Sequence, residues 1–140
     1  MEQGAEDIAE ENLDDAMAGA GVTAQQAQAI LNNLTTVYFD YDESTLSAQE
    51  TAELQKIAAA LKVLNTASIS IEGHCDDRGS NEYNLALGDR RARSVYEYLT
   101  NLGVDPSQLD TTSYGEERPA VSGMSESAWA KNRRAELVKK

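Results

Sequence analysis

The segment from Ile71 to Val95 constrains the possible fold more than any other part of this chain. Alternating apolar residues predict a strand that ends near residue 73, and a polar loop follows at residues 74–79. A long amphipathic pattern then predicts a helix whose early turns carry Arg90 and Arg91. A loop with carboxylates that faces a helix with arginines suits a ligand carrying both an ammonium and a carboxylate.

Periodicity and capping signals predict the other elements. Capping boxes at Thr23 with Gln26 and at Ser47 with Glu50 predict two helix starts. Strands are predicted at residues 36–40, 67–73, 111–114 and 135–138, with one further helical segment at 125–132. The order β-α-β-α-β-β has too few helices to cover both faces of a sheet. It predicts an α+β fold, a two-layer α/β sandwich whose mixed four-stranded sheet has helices on one face.

The negative charge of the chain is concentrated at its N-terminal side. The formal net charge is −12, yet no basic residue precedes Lys56, and residues 1–55 hold 12 of the 24 acidic residues. Residues 1–21 contain few large apolar side chains, so we expect a flexible acidic arm there and one domain at residues 22–140. This charge pattern disfavours nucleic acid as a partner, because binding to a polyanion relies on Lys and Arg.

Targeting and redox signals are sparse. No apolar run approaches the roughly 18–20 residues of a membrane span. Met1 is followed by acidic residues instead of a signal peptide, which indicates a cytosolic protein or a mature form without its targeting segment. The single cysteine, Cys75, excludes an intramolecular disulfide.

The loop at residues 74–79 contains residue types that bind metals or catalyse reactions. Its His, Cys and Asp are consecutive, so they cannot all converge on one ion, and no metal site is predicted. A solvated turn with a hydrogen-bonded His74 remains the alternative. Asp76 and Asp77 should point apart, which is poor geometry for acid–base catalysis, and no catalytic residues are predicted. Arg91 lies near the buried boundary and needs a carboxylate partner from the protein or a ligand.

Four separated blocks carry a family resemblance. They are VYFDYD at residues 37–42, IEGHCDDRGSNEYNLALGDRRA at 71–92, SYGEERPA at 113–120 and KNRRAEL at 131–137. In order and spacing they resemble the OmpA-like peptidoglycan-binding domain family, and within it the group of peptidoglycan-associated lipoproteins. The resemblance covers roughly residues 36–140. It implies non-covalent binding of the peptidoglycan stem peptide, centred on meso-diaminopimelate, whose side chain ends in an ammonium and a carboxylate.

The resemblance also implies roles for individual residues. Asp76 would pair with the ammonium and Arg91 would hold the carboxylate, so Asp76→Asn or Arg91→Ala should weaken binding and leave the fold intact. The remaining implied site residues line, shape or support the pocket: Phe39, Asp40, Gly73, His74, Asn84, Leu87 and, more loosely, Arg78. Cys75 stands where relatives usually carry Ala or Thr, and we expect that it could oxidise or cross-link two chains.

Partners and location follow from the resemblance alone. It implies TolB as a protein partner in the Tol–Pal system, with a surface overlapping the peptidoglycan site, and no cofactor. It implies the periplasmic side of the outer membrane of a Gram-negative bacterium, reached through an N-terminal lipid anchor absent from this chain, with residues 1–21 as the tether. The alternatives are an OmpA-like wall-binding domain of another envelope or stator protein, and a muropeptide-processing enzyme.

Overall fold

The computed structural model describes residues 21–140, so the predicted acidic arm lies, except for its last residue, outside the described residues. The described part contains four helices and four strands. In chain order they are α1 (Ala24–Asn32), β1 (Thr36–Tyr38), α2 (Ala48–Val63), β2 (Ile69–His74), α3 (Asn81–Asn101), β3 (Leu109–Gly115), α4 (Glu126–Asn132) and β4 (Arg134–Lys139). A short 3₁₀ helix at Pro106–Gln108 leads into β3.

The four strands form one mixed sheet in the order β1-β4-β2-β3. β4 is antiparallel to both β1 and β2, whereas β2 and β3 are parallel and are connected by α3. The inward side chains of β2, Ile69 and Ile71, are fully buried in the core with Val95 and Leu99 of α3. The predicted α+β sandwich with a mixed four-stranded sheet is therefore confirmed. None of the helices at residues 21–140 is both long and apolar enough to cross a membrane.

One of the two predicted capping boxes is complete. Thr23 Oγ1 accepts the N–H of Gln26 at 3.1 Å, and Gln26 Oε1 accepts the N–H of Thr23 at 2.8 Å. Ser47 also caps its helix, since its Oγ accepts the N–H of Glu50 at 3.3 Å. The Glu50 carboxylate does not return the bond, because it accepts the N–H of Tyr38 at 3.1 Å. The predicted capping box at Ser47 is therefore wrong, although the predicted start of the helix there is confirmed. Glu50 instead connects α2 to β1.

Strand β1 ends two residues earlier than the sequence predicts. The pattern extends to Asp40, but the strand ends at Tyr38. Its partner β4 begins only at Arg134, although the N–H of Phe39 still reaches the carbonyl of Arg133 at 3.0 Å. The chain then turns through Asp42, whose φ is +58°. This early turn places residues 39–43 at the same edge of the sheet as the loop after β2.

Two glycines allow α3 to lie directly on the sheet. A Cβ on Gly73 would come 1.7 Å from the carbonyl oxygen of Gly88 in α3, and a Cβ on Gly88 would come 2.3 Å from Ser113 Oγ in β3. No side chain fits in such a contact. The close approach places the first turns of α3 beside the loop at residues 75–80.

Candidate functional site

A small pocket lies among the loop after β1, the loop after β2 and the start of α3. Its volume is about 60 Å³, which suits a small charged group better than a sugar ring. Ten residues line it: Tyr41, Asp42, Cys75, Asp76, Arg78, Gly79, Tyr83, Asn84, Leu87 and Arg91. The structure thus brings together five of the predicted site residues, namely Asp76, Arg78, Asn84, Leu87 and Arg91.

Asp76 is a buried carboxylate held by its neighbour Arg78. Its Oδ1 accepts the backbone N–H of Arg78 at 3.1 Å and Nε at 3.2 Å, and its Oδ2 accepts Nη2 at 2.8 Å. Burial alone would raise the pKa of Asp76, but the hydrogen bonds from Arg78 outweigh it and the pKa is lowered. The side chain of Asp77 points away from that of Asp76, as the sequence predicts, and accepts the indole N–H of Trp129 at 2.9 Å.

Arg78 is clamped between two aromatic rings. Its Cζ lies 4.2 Å from the centroid of Tyr41 and 4.0 Å from that of Trp129. Cation–π contacts on both faces hold the guanidinium in position. In this state, therefore, the side chain of Arg78 fills the place beside Asp76. This clamp could not be predicted from the sequence, because Tyr41 lies in the turn after β1 and Trp129 lies in α4, far away along the chain.

Arg91 is 1% exposed and binds backbone carbonyls. Its Nε donates to the carbonyl of Glu43 at 2.8 Å, Nη1 to that of His74 at 2.9 Å and Nη2 to that of Asp40 at 3.2 Å. Burial lowers the pKa of Arg91, but a guanidinium remains charged.

The partners of Arg91 differ from those predicted, because no carboxylate among the described residues accepts one of its hydrogen bonds. A guanidinium has five N–H groups, and these three bonds leave two of them for a ligand. The ring of Phe39, 5.3 Å from the Arg91 Cζ, packs against the group. Arg91 therefore joins three chain segments around the pocket, and its removal should also affect the fold.

Asn84 and Cys75 connect the loop to α3. Asn84 Nδ2 donates to the carbonyl of Asp76 at 3.3 Å and to Glu116 Oε1 at 2.6 Å, and the Cys75 thiol donates to the carbonyl of Asn84 at 3.1 Å. Cys75 is 3% exposed, and burial raises its pKa to about 11. Oxidation or cross-linking of a folded chain needs an accessible thiolate, so the structure does not support that expectation. Leu87 is the buried apolar side of the pocket.

Gly73 and His74 lie under the pocket and do not line it. The position of Gly73 is determined by its contact with Gly88, described above. His74, the next residue along the strand, points to the other side of the sheet, where its ring stacks on Tyr114 with centroids 5.4 Å apart. Burial and the charge of Arg134 lower the pKa of His74 to about 4. Neither ring nitrogen has a hydrogen-bond partner among the described residues, so the alternative of a hydrogen-bonded histidine is wrong.

Phe39 and Asp40 line a wider groove next to the pocket. The groove has a volume of about 390 Å³ and is formed by Tyr38, Phe39, Asp40, Thr45, Ser47, Ala130, Lys131 and Arg133. Arg133 is buried at its base, where Nε donates to the carbonyl of Phe39 at 2.9 Å and Nη1 lies 3.9 Å from Asp76 Oδ2. Because Arg133 contacts residues of both cavities, the groove and the pocket are neighbours.

Sequence reasoning missed Tyr83 and Asp42 at the pocket. The Tyr83 hydroxyl donates to the carboxylate of Asp42, and the Arg90 guanidinium lies 5.7 Å from the Tyr83 ring centroid. Tyr83 could have been assigned to the pocket from the sequence, because it precedes Leu87 by four residues and so lies on the same face of α3. Asp42 could not have been assigned in this way, because its position depends on a turn with positive φ.

Comparisons with known proteins converge on one family. The OmpA family model matches residues 38–133, which include every residue of the pocket. The peptidoglycan-associated lipoprotein of Pseudomonas putida is 46% identical over 124 residues, covering 89% of this chain and 74% of the relative.

Solved structures show the same fold. The crystal structure of the peptidoglycan-associated lipoprotein from Burkholderia pseudomallei superposes with a TM-score of 0.75 at 44% identity, covering 76% of this chain and 91% of that one. The C-terminal domain of Helicobacter pylori MotB gives a TM-score of 0.68 at 24% identity, covering 77% and 85%. The second similarity extends to the fold alone.

Proposed function

The chain belongs to the OmpA family, and from that premise we propose that it binds peptidoglycan non-covalently and anchors the outer membrane to the cell wall. The relatives that support this are named as peptidoglycan-associated lipoproteins, at 46% identity in Pseudomonas putida and 44% in Burkholderia pseudomallei. The alternative, an OmpA-like wall-binding domain of another envelope or stator protein, is favoured only by the fold shared with the C-terminal domain of Helicobacter pylori MotB. The lipoprotein group is therefore the better assignment.

The bound group is the side-chain end of meso-diaminopimelate in the stem peptide. The observation that carries this is the pairing of a buried carboxylate, Asp76, with a buried guanidinium, Arg91, in one small pocket. The ligand's ammonium would bind Asp76, and its carboxylate would take the two N–H groups that Arg91 does not give to the backbone. The charges at both ends are complementary, and the protein has already desolvated its own two groups before the ligand arrives.

Arg78 shapes how the ammonium reaches Asp76. In this structure its guanidinium makes two side-chain hydrogen bonds to Asp76 while stacked between Tyr41 and Trp129. An incoming ammonium must share the carboxylate or displace one of these bonds. The two stacking contacts would hold Arg78 at the pocket mouth in either case.

The other predicted site residues have supporting roles in this proposal. Asn84 fixes the loop through the carbonyl of Asp76, and Leu87 forms an apolar side of the pocket. Phe39 and Asp40 lead from the pocket into the wider groove, which has room for the rest of the stem peptide. Gly73 and His74 act on the scaffold: the glycine allows α3 to approach the sheet, and the carbonyl of His74 holds Arg91.

The chemistry of the pocket is that of binding, not of turnover. A general acid needs a pKa raised toward the working pH, whereas that of Asp76 is lowered. A cysteine nucleophile needs a lowered pKa, whereas that of Cys75 is about 11. The relatives are likewise named for association with peptidoglycan. A muropeptide-processing enzyme is accordingly the weaker candidate.

The wider assignment includes partners and location. The protein would lie on the periplasmic side of the outer membrane, with a lipid anchor preceding the tether at residues 1–21. TolB would bind the exposed side chains around the pocket, among them Tyr41, Tyr83 and Leu85. If the two surfaces overlap, stem peptide should compete with TolB for the protein, and simultaneous binding of both would contradict the overlap.

Co-sedimentation with purified sacculi tests the proposed function. The unmodified chain should sediment with sacculi that contain meso-diaminopimelate and should return to solution on addition of free stem peptide. Asp76→Asn should stay in the supernatant, while Asp77→Asn, which makes the same change on the exposed neighbour, should sediment. Analysis of the supernatant for released muropeptides tests the enzyme alternative in the same experiment, and their appearance would reject the binding-only assignment.

A further inference from the structure

We propose that Glu72, His74 and Glu136 form a second site, which binds a divalent transition metal ion such as Zn²⁺. Their ligand atoms lie within 4.8 Å of one another, on the side of the sheet opposite α3. The site is independent of the peptidoglycan pocket, because the His74 ring does not line that pocket. Imidazole nitrogen and carboxylate oxygen are both ligand types that zinc binds, and water can complete its coordination.

The pairing of β2 with β4 fixes these residues together. Glu72 and Glu136 are direct partners in the antiparallel ladder, so their side chains leave the sheet side by side. His74 follows Glu72 by two residues and points to the same face, with Nε2 at 3.9 Å from Glu72 Oε1. Two carboxylates directly opposite each other repel, and a bound cation would remove that repulsion.

The His74 ring supplies an observation independent of the two acids. It is 2% exposed, and neither nitrogen has a hydrogen-bond partner among the described residues. Buried polar atoms without a partner are rare and destabilising, and a bound ion is one way to satisfy them. A metal ion bound to Nε2 would provide such a partner.

Nearby arginines determine which metals the site can accept. Arg134 Nε donates to Glu136 Oε2 at 2.5 Å, which leaves the other oxygen of that carboxylate for a metal. Arg118 lies over the ring of Tyr114, the residue on which His74 stacks, and its charge also faces the site. The charges of these two arginines offset those of the two glutamates, so the site attracts a cation only weakly through charge. This favours ions that bond strongly to imidazole, such as Zn²⁺, over Mg²⁺ and Ca²⁺, which prefer oxygen ligands.

NMR of the histidine ring tests the site directly. His74 is the only histidine in the chain, so its ring resonances need no assignment by mutation. Addition of Zn²⁺ to the full chain at neutral pH should shift the ring signals and saturate at one equivalent, and a chelator should reverse the shift. Zinc uptake with unmoved ring signals, or no uptake at all, would overturn the proposal. Zinc that binds to the acidic residues 1–55 instead would leave the His74 ring signals unmoved.

Matched variants test the two carboxylates. Glu136→Gln and Glu72→Gln keep the shape of each side chain, and each should weaken zinc binding by at least tenfold. Glu97→Gln, on the exposed face of α3, removes the same charge far from the site and should bind zinc as the unmodified chain does. If all three variants bind zinc equally, the carboxylates are not ligands and the proposal is wrong. Sacculus binding is measured separately, so failure of the metal site leaves the proposed function untouched.

Discussion

At the scale of single residues, two adjacent aspartates in one loop have opposite environments. Asp76 is buried and accepts three hydrogen bonds from Arg78, while Asp77 is exposed and accepts one from Trp129. Because charge-assisted bonds contribute about 1.5–3 kcal/mol, Asp76→Asn should weaken stem-peptide binding by roughly 10- to 100-fold. Calorimetric titration measures this, with Asp77→Asn as the control. Equal affinity of the two variants would contradict the role of Asp76.

Cys75 gives a second prediction at this scale. Its pKa of about 11 lies some two units above the value of an ordinary cysteine, so the folded chain holds roughly a hundredfold less thiolate near pH 8. A maleimide or disulfide reagent should therefore label the folded protein far more slowly than the urea-unfolded protein, and the rate should climb as the pH rises toward 11. Equally fast labelling of both states would show that the thiol is accessible.

At the scale of elements, Arg91 connects α3 to the segments that follow β1 and β2. Truncation at this position leaves the carbonyls of Asp40, Glu43 and His74 without their donor and opens a cavity. Arg91→Ala should therefore lower the free energy of unfolding by at least about 2 kcal/mol, in addition to weakening peptide binding. This replaces the expectation that the variant keeps its fold intact.

Urea unfolding measures the effect of Arg91→Ala, and Arg93→Ala is the control. Arg93 lies on the exposed face of the same helix, where it pairs with Asp89 at 3.1 Å. Its removal should change the stability by less than about 0.5 kcal/mol. If the two variants are equally stable, the hydrogen bonds of Arg91 to the backbone do not support the fold.

The contact between α3 and β2 provides a prediction about packing. A methyl group at Gly73 would overlap the Gly88 carbonyl, a backbone atom that cannot move without shifting the helix. Gly73→Ala should cost about 3 kcal/mol or more, or prevent folding. Thermal unfolding measures this loss, and a Gly73→Ala variant as stable as the unmodified chain would contradict the close contact.

The sequence predicted elements better than the contacts between them. Helix α3 and strand β2 were predictable, because the spacing of apolar residues and the capping residues can be identified within each element's own sequence. The end of β1 was not, because it depends on where β4 begins in the sheet. Asp76 and Arg91 line one pocket because the strand–loop–helix order brings them together, while their role in binding a ligand stays a prediction. The clamp around Arg78 and the orientation of His74 depend on Trp129 and Tyr114, which only the tertiary fold brings near.

At the scale of the whole molecule, the fold collects opposite charges at one edge of a moderately acidic domain, since residues 22–140 hold 17 acidic and 12 basic residues. The acidic excess of the chain lies before Lys56, whereas residues 56–140 hold equal numbers of acidic and basic residues. The domain thus has no broad positive field to attract an anionic polymer by charge alone, and specificity must come from matched groups in the pocket. The pocket is formed by three separate chain segments, so its shape depends on the intact sheet and α3.

The most direct test of this account is a calorimetric titration with two stem peptides, one containing meso-diaminopimelate and the other lysine at the same position. Both peptides offer an ammonium to Asp76, but only the first offers a carboxylate to Arg91. We predict binding of the diaminopimelate peptide and at least tenfold weaker binding of the lysine peptide, since one charge-assisted contact is lost. Equal binding of the two, or no binding of either, would contradict the proposed recognition of both charges.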